Sequence, residues 1–142
     1  MGTTLPPVQL RLRGQPGERA EVVQGFEAFC REGNVPRVVA NAADVALEEH
    51  LTNVLGYGYE PGAAHEVVVE LRIDGGCLHM EVRDDGKSFN PLTLPDPDIS
   101  LPLEEKPIGG LGLHLIRHLM DEVSYARVDE RNVFRMRKRL AA

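Results

Sequence analysis

Glu49 and Asn53 stand four positions apart in the run ALEEHLTNVLGYGY. On a helix that spacing puts a carboxylate and a carboxamide one turn apart on one face. The carboxylate can take a proton from a nucleophile or orient it. The carboxamide oxygen suits a hard cation such as Mg2+, which takes oxygen ligands and keeps some of its water. Asp84-Asp85-Gly86 closes an apolar strand. A carboxylate there can accept a hydrogen bond from the exocyclic amine of a base, and Gly86 allows close approach of a flat ring. Gly109-Gly110-Leu111-Gly112 opens a helix whose first backbone amides suit phosphate oxygens. Each feature alone has an ordinary explanation: a solvated helix face, a strand-ending turn, a tight helix entry. In this order they describe a metal-binding helix, a base-recognising turn and a phosphate-binding helix start.

The surrounding pattern supplies elements to carry them. Within Leu5–Arg13, Val8, Leu10 and Leu12 alternate with polar residues, as in a half-buried strand. Glu18–Glu32 has Val22, Val23, Phe26 and Phe29 at helical spacing and ends at Gly33-Asn34, although Gly25 weakens it slightly. From Pro36 to about Leu55 a second helix carries a stripe of Val38, Val39, Ala42, Val45, Ala46, Glu49 and Asn53. Two polar residues thus continue an apolar face. Glu66–Ile73 and Cys77–Arg83 read as strands joined across Asp74-Gly75-Gly76. Asn90–Pro107 is a long loop rich in proline and acidic groups, whose mobility can gate exchange of a ligand. Gly109–Val123 reads as a helix with Leu115, Ile116, Leu119, Met120 and Val123 buried. Ser124–Val128 and Val133–Arg139 read as a closing hairpin across Asp129–Asn132. This order predicts an α+β two-layer sandwich, with one mixed, mostly antiparallel sheet and helices on one face.

Bulk properties narrow the function further. A chain of 142 residues fits one domain, here taken as 1–142. The net charge of -6 disfavours wholesale binding to nucleic acid or to an anionic membrane. Cys30 and Cys77 lack the spacing of a disulfide framework or a zinc site and point to a reducing compartment. With no signal peptide and no spanning stretch in view, the expected location is the cytoplasm. Gly86-Lys87-Ser88 imitates the end of a P-loop, but Glu81 stands where that motif needs glycine. His114 and His118 could ligate zinc from one helix face, yet no third ligand is evident. Arg135, Arg137, Lys138 and Arg139 read as a solvated strand face, and Asp96, Asp98, Glu104 and Glu105 as a solvated loop.

The three motifs together resemble the Bergerat ATP-binding fold of the GHKL superfamily, which includes gyrase and the histidine kinases. Ala46–Tyr59 resembles its N-box, VRDDGKSFNP (Val82–Pro91) its first glycine box, and GGLGLHLIRHLMDEVSY (Gly109–Tyr125) its second. The segment between, about 90–109, corresponds to the ATP lid. The likeness runs from about Leu5 to Leu140 and is nearest to the anti-sigma factor serine kinases of RsbW type. It implies that Glu49 activates a serine hydroxyl and that Asn53 coordinates Mg2+. It further implies that Asp84 binds the adenine amine with Gly86 beside the ring, and that Gly110 and Gly112 cradle the phosphates of ATP. Ser88 replaces a second glycine of the first box, Ile108 replaces the opening glycine of the second, and Tyr57 stands where some members carry histidine. The implied function is an anti-sigma factor that holds a sigma factor inactive and phosphorylates an anti-anti-sigma protein of STAS type. A homodimer is also implied, with the apolar side of the first strand and helix as its interface. A non-catalytic, ATP-dependent partner-binding module is the alternative, and dependence on Glu49 separates the two.

Overall fold

The computed structural model describes residues 5–60, 62–93 and 110–141. The lid segment from 94 to 109, with Ile108, Gly109 and the acidic residues Asp96, Asp98, Glu104 and Glu105, lies outside the described residues. Eight elements follow one another as β1 (Val8–Leu12), α1 (Glu18–Glu32), α2 (Arg37–Tyr57), β2 (Val67–Asp74), β3 (Cys77–Asp84), α3 (Gly110–Leu119), β4 (Glu122–Val128) and β5 (Arg131–Arg139). A single turn of 3-10 helix spans Pro91–Thr93. The strands form one sheet in the order β1-β2-β3-β5-β4. All its pairings are antiparallel, so the parallel pair that a mixed sheet would contain does not occur among the described residues.

The inner sheet face is continuous with the helices. Val67, Val69, Leu71 and Ile73 of β2, Leu78, Met80 and Val82 of β3, and Phe134 and Met136 of β5 share a core with Val22, Phe26 and Phe29 of α1 and with Leu47 and Leu51 of α2. The alternate strand positions carry charge. Arg135 donates to Glu81 at 2.7 Å and Arg137 to Glu122 at 3.0 Å. The basic end of β5 is thus a solvated, internally paired face.

Glycine permits two close approaches that fix the helix layer. A Cβ on Gly25 would lie 2.6 Å from Leu10, and one on Gly33 would lie 2.4 Å from Ile73. The glycine that weakens α1 is therefore the one that lets α1 settle on β1. Leu10 thereby packs against α1, so part of the apolar side of β1 is used inside the chain.

Two element readings shift for physical reasons. The α2 stripe is rotated: Val39, Ala43, Ala46, Leu47, His50, Leu51, Asn53 and Val54 are buried, whereas Val38 is 79% exposed and Val45 41%. Glu49 consequently lies at the edge of the buried face. The third helix stops at Leu119, before Val123. Lys138 donates its ammonium to the Leu119 carbonyl at 2.6 Å, and the Asp121 N–H donates to Arg137 O at 2.9 Å. The chain has joined the sheet by Glu122, and Leu115 is exposed.

Candidate functional site

Asp84 ends β3 and is 3% exposed. Its Oδ1 accepts from Gly86 N at 3.0 Å and from Asn132 Nδ2 at 2.9 Å. Its second oxygen takes no bond among the described residues, which suits a donor from outside. Burial pushes the carboxyl above its ordinary range, and the neighbouring Asp85 charge adds to this. The bonds from Asn132 and Gly86, with the charge of Arg127, only partly offset the rise.

Asn132 is the hub of this corner, and it was not legible as such from sequence. It faces Asp84 in the β3–β5 register. Besides Asp84, its amide donates to Lys87 O at 2.9 Å. Its Oδ1 accepts from Phe89 N at 3.3 Å and from the Tyr125 hydroxyl. Both halves of the carboxamide are thus engaged, and the loop after β3 is tied to the sheet. The turn before Asn132 is made by Asp129 and Glu130, with φ of 50° and 63°. Asn132 therefore belongs to the strand, two residues past where the hairpin turns.

Gly86 meets backbone more than open space. A Cβ there would lie 2.7 Å from Gly58 O and 3.0 Å from Asp84 Oδ1. Lys87 N donates to Gly58 O at 3.1 Å, so the loop is stitched to the C-terminal end of α2. The missing side chain lets loop and helix end close on Asp84. Asp85 turns the other way: against the upward push of burial, bonds from Tyr59 and from Glu66 N hold its carboxyl low. It acts as a fastener of the turn.

Asn53 is 7% exposed, and its Nδ2 has no hydrogen-bond partner among the described residues. It lines one pocket with His50, Val54, Gly58, Asp84, Phe89 and Asn132. The two sequence motifs carrying Asn53 and Asp84 therefore converge. The third motif arrives through Gly112 on α3. A Cβ there would lie 2.9 Å from Glu49 Oε2 and 3.5 Å from Asn53 Nδ2. Gly110 is the first residue of α3. Glu49, Asn53 and Gly112 thus form one cluster, and Asn53 and Asp84 share one pocket.

The pocket is narrow, with a free volume of about 10 Å³, room for roughly one water molecule. Lys87 and Phe89, on the loop after β3, line it, and Phe89 stacks on Tyr57 with centroids 5.8 Å apart.

The donor set fits a hard cation held mainly by a ligand's own oxygens. Asn53 offers a buried carboxamide, whose oxygen is the group able to ligate a cation, beside the Glu49 carboxylate and Gly112. No group of His, Cys, Asp and Glu that could hold a metal alone is present among the described residues. That pattern matches Mg2+ on phosphates, which uses one or two side chains and water. His114 and His118 stack edge to face on α3 with centroids 4.5 Å apart. No helix among the described residues is long and apolar enough to cross a membrane.

The sequence family described as Histidine kinase-like ATPase domain matches residues 12–138. The chain is similar to the serine/threonine-protein kinase BtrW of Bordetella bronchiseptica, 29% identical over 85 residues that cover 60% of each chain. It is similar to the serine-protein kinase RsbW of Bacillus mycoides, 35% identical over 83 residues, 56% of this chain and 51% of that one. An anti-sigma F factor of Anoxybacillus flavithermus is 27% identical over 95 residues, 66% of this chain and 65% of its own. The matches thus span only half to two thirds of these relatives' lengths. The crystal structure of the RsbU and RsbW domains of Rv1364c from Mycobacterium tuberculosis superposes with a TM-score of 0.68 at 17% identity, over 96% of this chain and 33% of that one. At that identity the likeness is one of fold.

Proposed function

The chain belongs to the histidine kinase-like ATPase domain family, and from that premise we propose that it is a cytoplasmic, ATP-dependent serine/threonine protein kinase serving as an anti-sigma factor. Its phosphorylated partner is an anti-anti-sigma protein of STAS type, and its captive is a sigma factor. The observation that carries the reading is the meeting of the motif residues: Asn53 and Asp84 in one pocket, and Gly112 against Glu49 and Asn53. Relatives named as serine-protein kinase and anti-sigma factor support the choice of activity.

Bound Mg2+-ATP supplies the activated phosphoryl group and the charge compensation. The residues of this chain position it. Asp84 accepts from the adenine amine with the oxygen that Asn132 and Gly86 leave unused. Asn53 would hold the cation through its amide oxygen. Gly110 and Gly112 leave α3 free of side chains where phosphate oxygens come near. Glu49, one turn from Asn53, takes the proton of the partner's serine hydroxyl. In such a transfer the protein contributes mainly position and electrostatics.

The test is incubation with γ-labelled ATP and a STAS-domain partner, with Glu49→Ala, Asn53→Ala and Asp84→Asn alongside. The kinase reading expects label on a partner serine, lost with Glu49→Ala although ATP still binds. Asp84→Asn abolishes nucleotide binding, and Asn53→Ala removes most of its Mg2+ dependence. Tight ATP-dependent capture of the partner with no label would identify a binding module instead. ATP binding indifferent to Asp84 and Asn53 would refute the site.

A further inference from the structure

The pocket wall holds a polar side chain that the roles above leave unused. His50 follows Glu49 in α2 and lines the same pocket as Asn53 and Asp84. It is 4% exposed. Its ring stacks on Phe134, with centroids 4.1 Å apart and planes 18° from parallel. Among the described residues, neither Nδ1 nor Nε2 has a hydrogen-bond partner, and both are buried. Asn53 Nδ2, three residues along the same helix, is in the same condition.

Packing accounts for the ring but not for its nitrogens. The slot against Phe134 takes a flat aromatic side chain, and phenylalanine would fill it with no polar atom to bury. Buried polar groups in folded proteins nearly always have partners, because an unmade hydrogen bond forfeits the group's hydration without return. Burial also holds the imidazole neutral, its pKa drawn from 6.5 down to about 3. A neutral imidazole presents one N–H donor and one lone pair. A metal is a poor occupant, since no further ligands gather there among the described residues. The neighbouring groups are a carboxylate acceptor in Asp84 and an amide donor in Asn53. A donor from His50 in the same pocket as the Asp84 acceptor suits the edge of a flat nitrogen heterocycle, which carries in-plane lone pairs and an amine.

We propose that His50 contacts the purine of the bound nucleotide, its N–H donating to a ring nitrogen while its face stays stacked on Phe134. The inference rests on the adenine-nucleotide reading of the pocket and adds to it a polar contact from the wall beneath Asn53. His50 is then a binding residue that has no part in the phosphoryl transfer itself.

The experiment is calorimetric titration of Mg2+-ATP into wild type, Asp84→Asn and His50→Phe, with a thermal melt of each. The phenylalanine keeps the stack and deletes both nitrogens. The expected result is a melting temperature at or above that of wild type with ATP affinity reduced about five- to tenfold, the worth of one net hydrogen bond. Should His50→Phe fold poorly, 15N spectroscopy of the wild-type imidazole decides. Adding ATP must then move the protonated ring nitrogen to a hydrogen-bonded position. Wild type that binds no ATP overturns the nucleotide reading as a whole. Wild type that binds ATP, with His50→Phe equally tight or the ring nitrogens unmoved, overturns the role of His50 alone.

Discussion

Replacing Gly112 with alanine separates stability from activity in a way the structure makes quantitative. Gly112 lies in the first turn of α3. Alanine in a helix is favoured over glycine by up to about 1 kcal/mol. Against that gain stands one contact: the new methyl would sit 2.9 Å from Glu49 Oε2 and 3.5 Å from Asn53 Nδ2. The closer atom is the far end of a flexible side chain, so the carboxylate swings aside at little energetic cost. Folding stability therefore stays level or rises, and for a chain of this size 1 kcal/mol corresponds to roughly 3 °C in melting temperature. Activity responds differently. The swing displaces the proposed base, and a misplacement of about 1 Å can lower a rate on the order of a hundredfold. The methyl also occupies the space that a phosphate oxygen would use. The assay is a thermal melt beside labelled phosphotransfer to the STAS-domain partner. A variant that melts at or above wild type and transfers phosphate at least tenfold more slowly bears out the geometry. Transfer at the wild-type rate refutes the placement of Glu49 against α3.

Two further changes probe the corner around Asp84 and the wall behind it. Asn132→Ala leaves Asp84, Lys87 O and the Tyr125 hydroxyl short of a partner, so urea denaturation should show a loss of about 1–3 kcal/mol. ATP affinity should fall with it, and unchanged stability would show that the hub carries no weight. His50, with a folded pKa of about 3 against 6.5 unfolded, takes up its proton first in the unfolded chain. Stability from this group is complete above pH 6.5 and declines as pH falls towards 3. Between pH 8 and pH 5 the decline amounts to about 2 kcal/mol. His50→Phe should flatten that part of the pH profile by the same amount, and parallel profiles for the two proteins would contradict a buried neutral ring.

The order of elements was legible because it rests on periodicity and turn chemistry, which are local. Asp74-Gly75-Gly76 had to be a hairpin, and Gly75 and Gly76 do adopt positive φ of 60° and 75°. The face of α2 was harder. A helix whose neighbours lie on two sides, the sheet below and α3 beside it, buries a wide arc, and alanines and valines alone do not fix its centre. The stripe centres on Ala43, Leu47, His50 and Val54, which hid His50 between two residues already singled out for chemistry. Asn132 was concealed by a different cause. Asp129-Glu130 makes the turn with left-handed backbone that neither residue type announces strongly, so the strand begins sooner than its apolar residues suggest. Once the strand starts at Arg131, the antiparallel register alone sets Asn132 opposite Asp84. Gly86 carries a second constraint that motif logic does not supply: a Cβ there would lie 2.7 Å from Gly58 O.

The polar groups of the pocket share a property that joins stability to binding. Among the described residues, Asn53 holds an orphaned amide N–H2 and His50 two orphaned ring nitrogens. A protein selected only for stability would pair or replace these groups, since each weakens the fold when left without a partner. Their retention around one cavity means that the chain alone leaves its hydrogen bonding incomplete there. A ligand that completes it must stabilise the folded state by mass action, by about 2.7 kcal/mol at a hundred times its dissociation constant. Mg2+-ATP should therefore raise the melting temperature of wild type by several degrees and leave that of Asp84→Asn where it stands. If ATP raised both melting temperatures equally, the incomplete groups would not be what the nucleotide completes, and the pocket between α2, β3 and β5 would lose its claim to be the site.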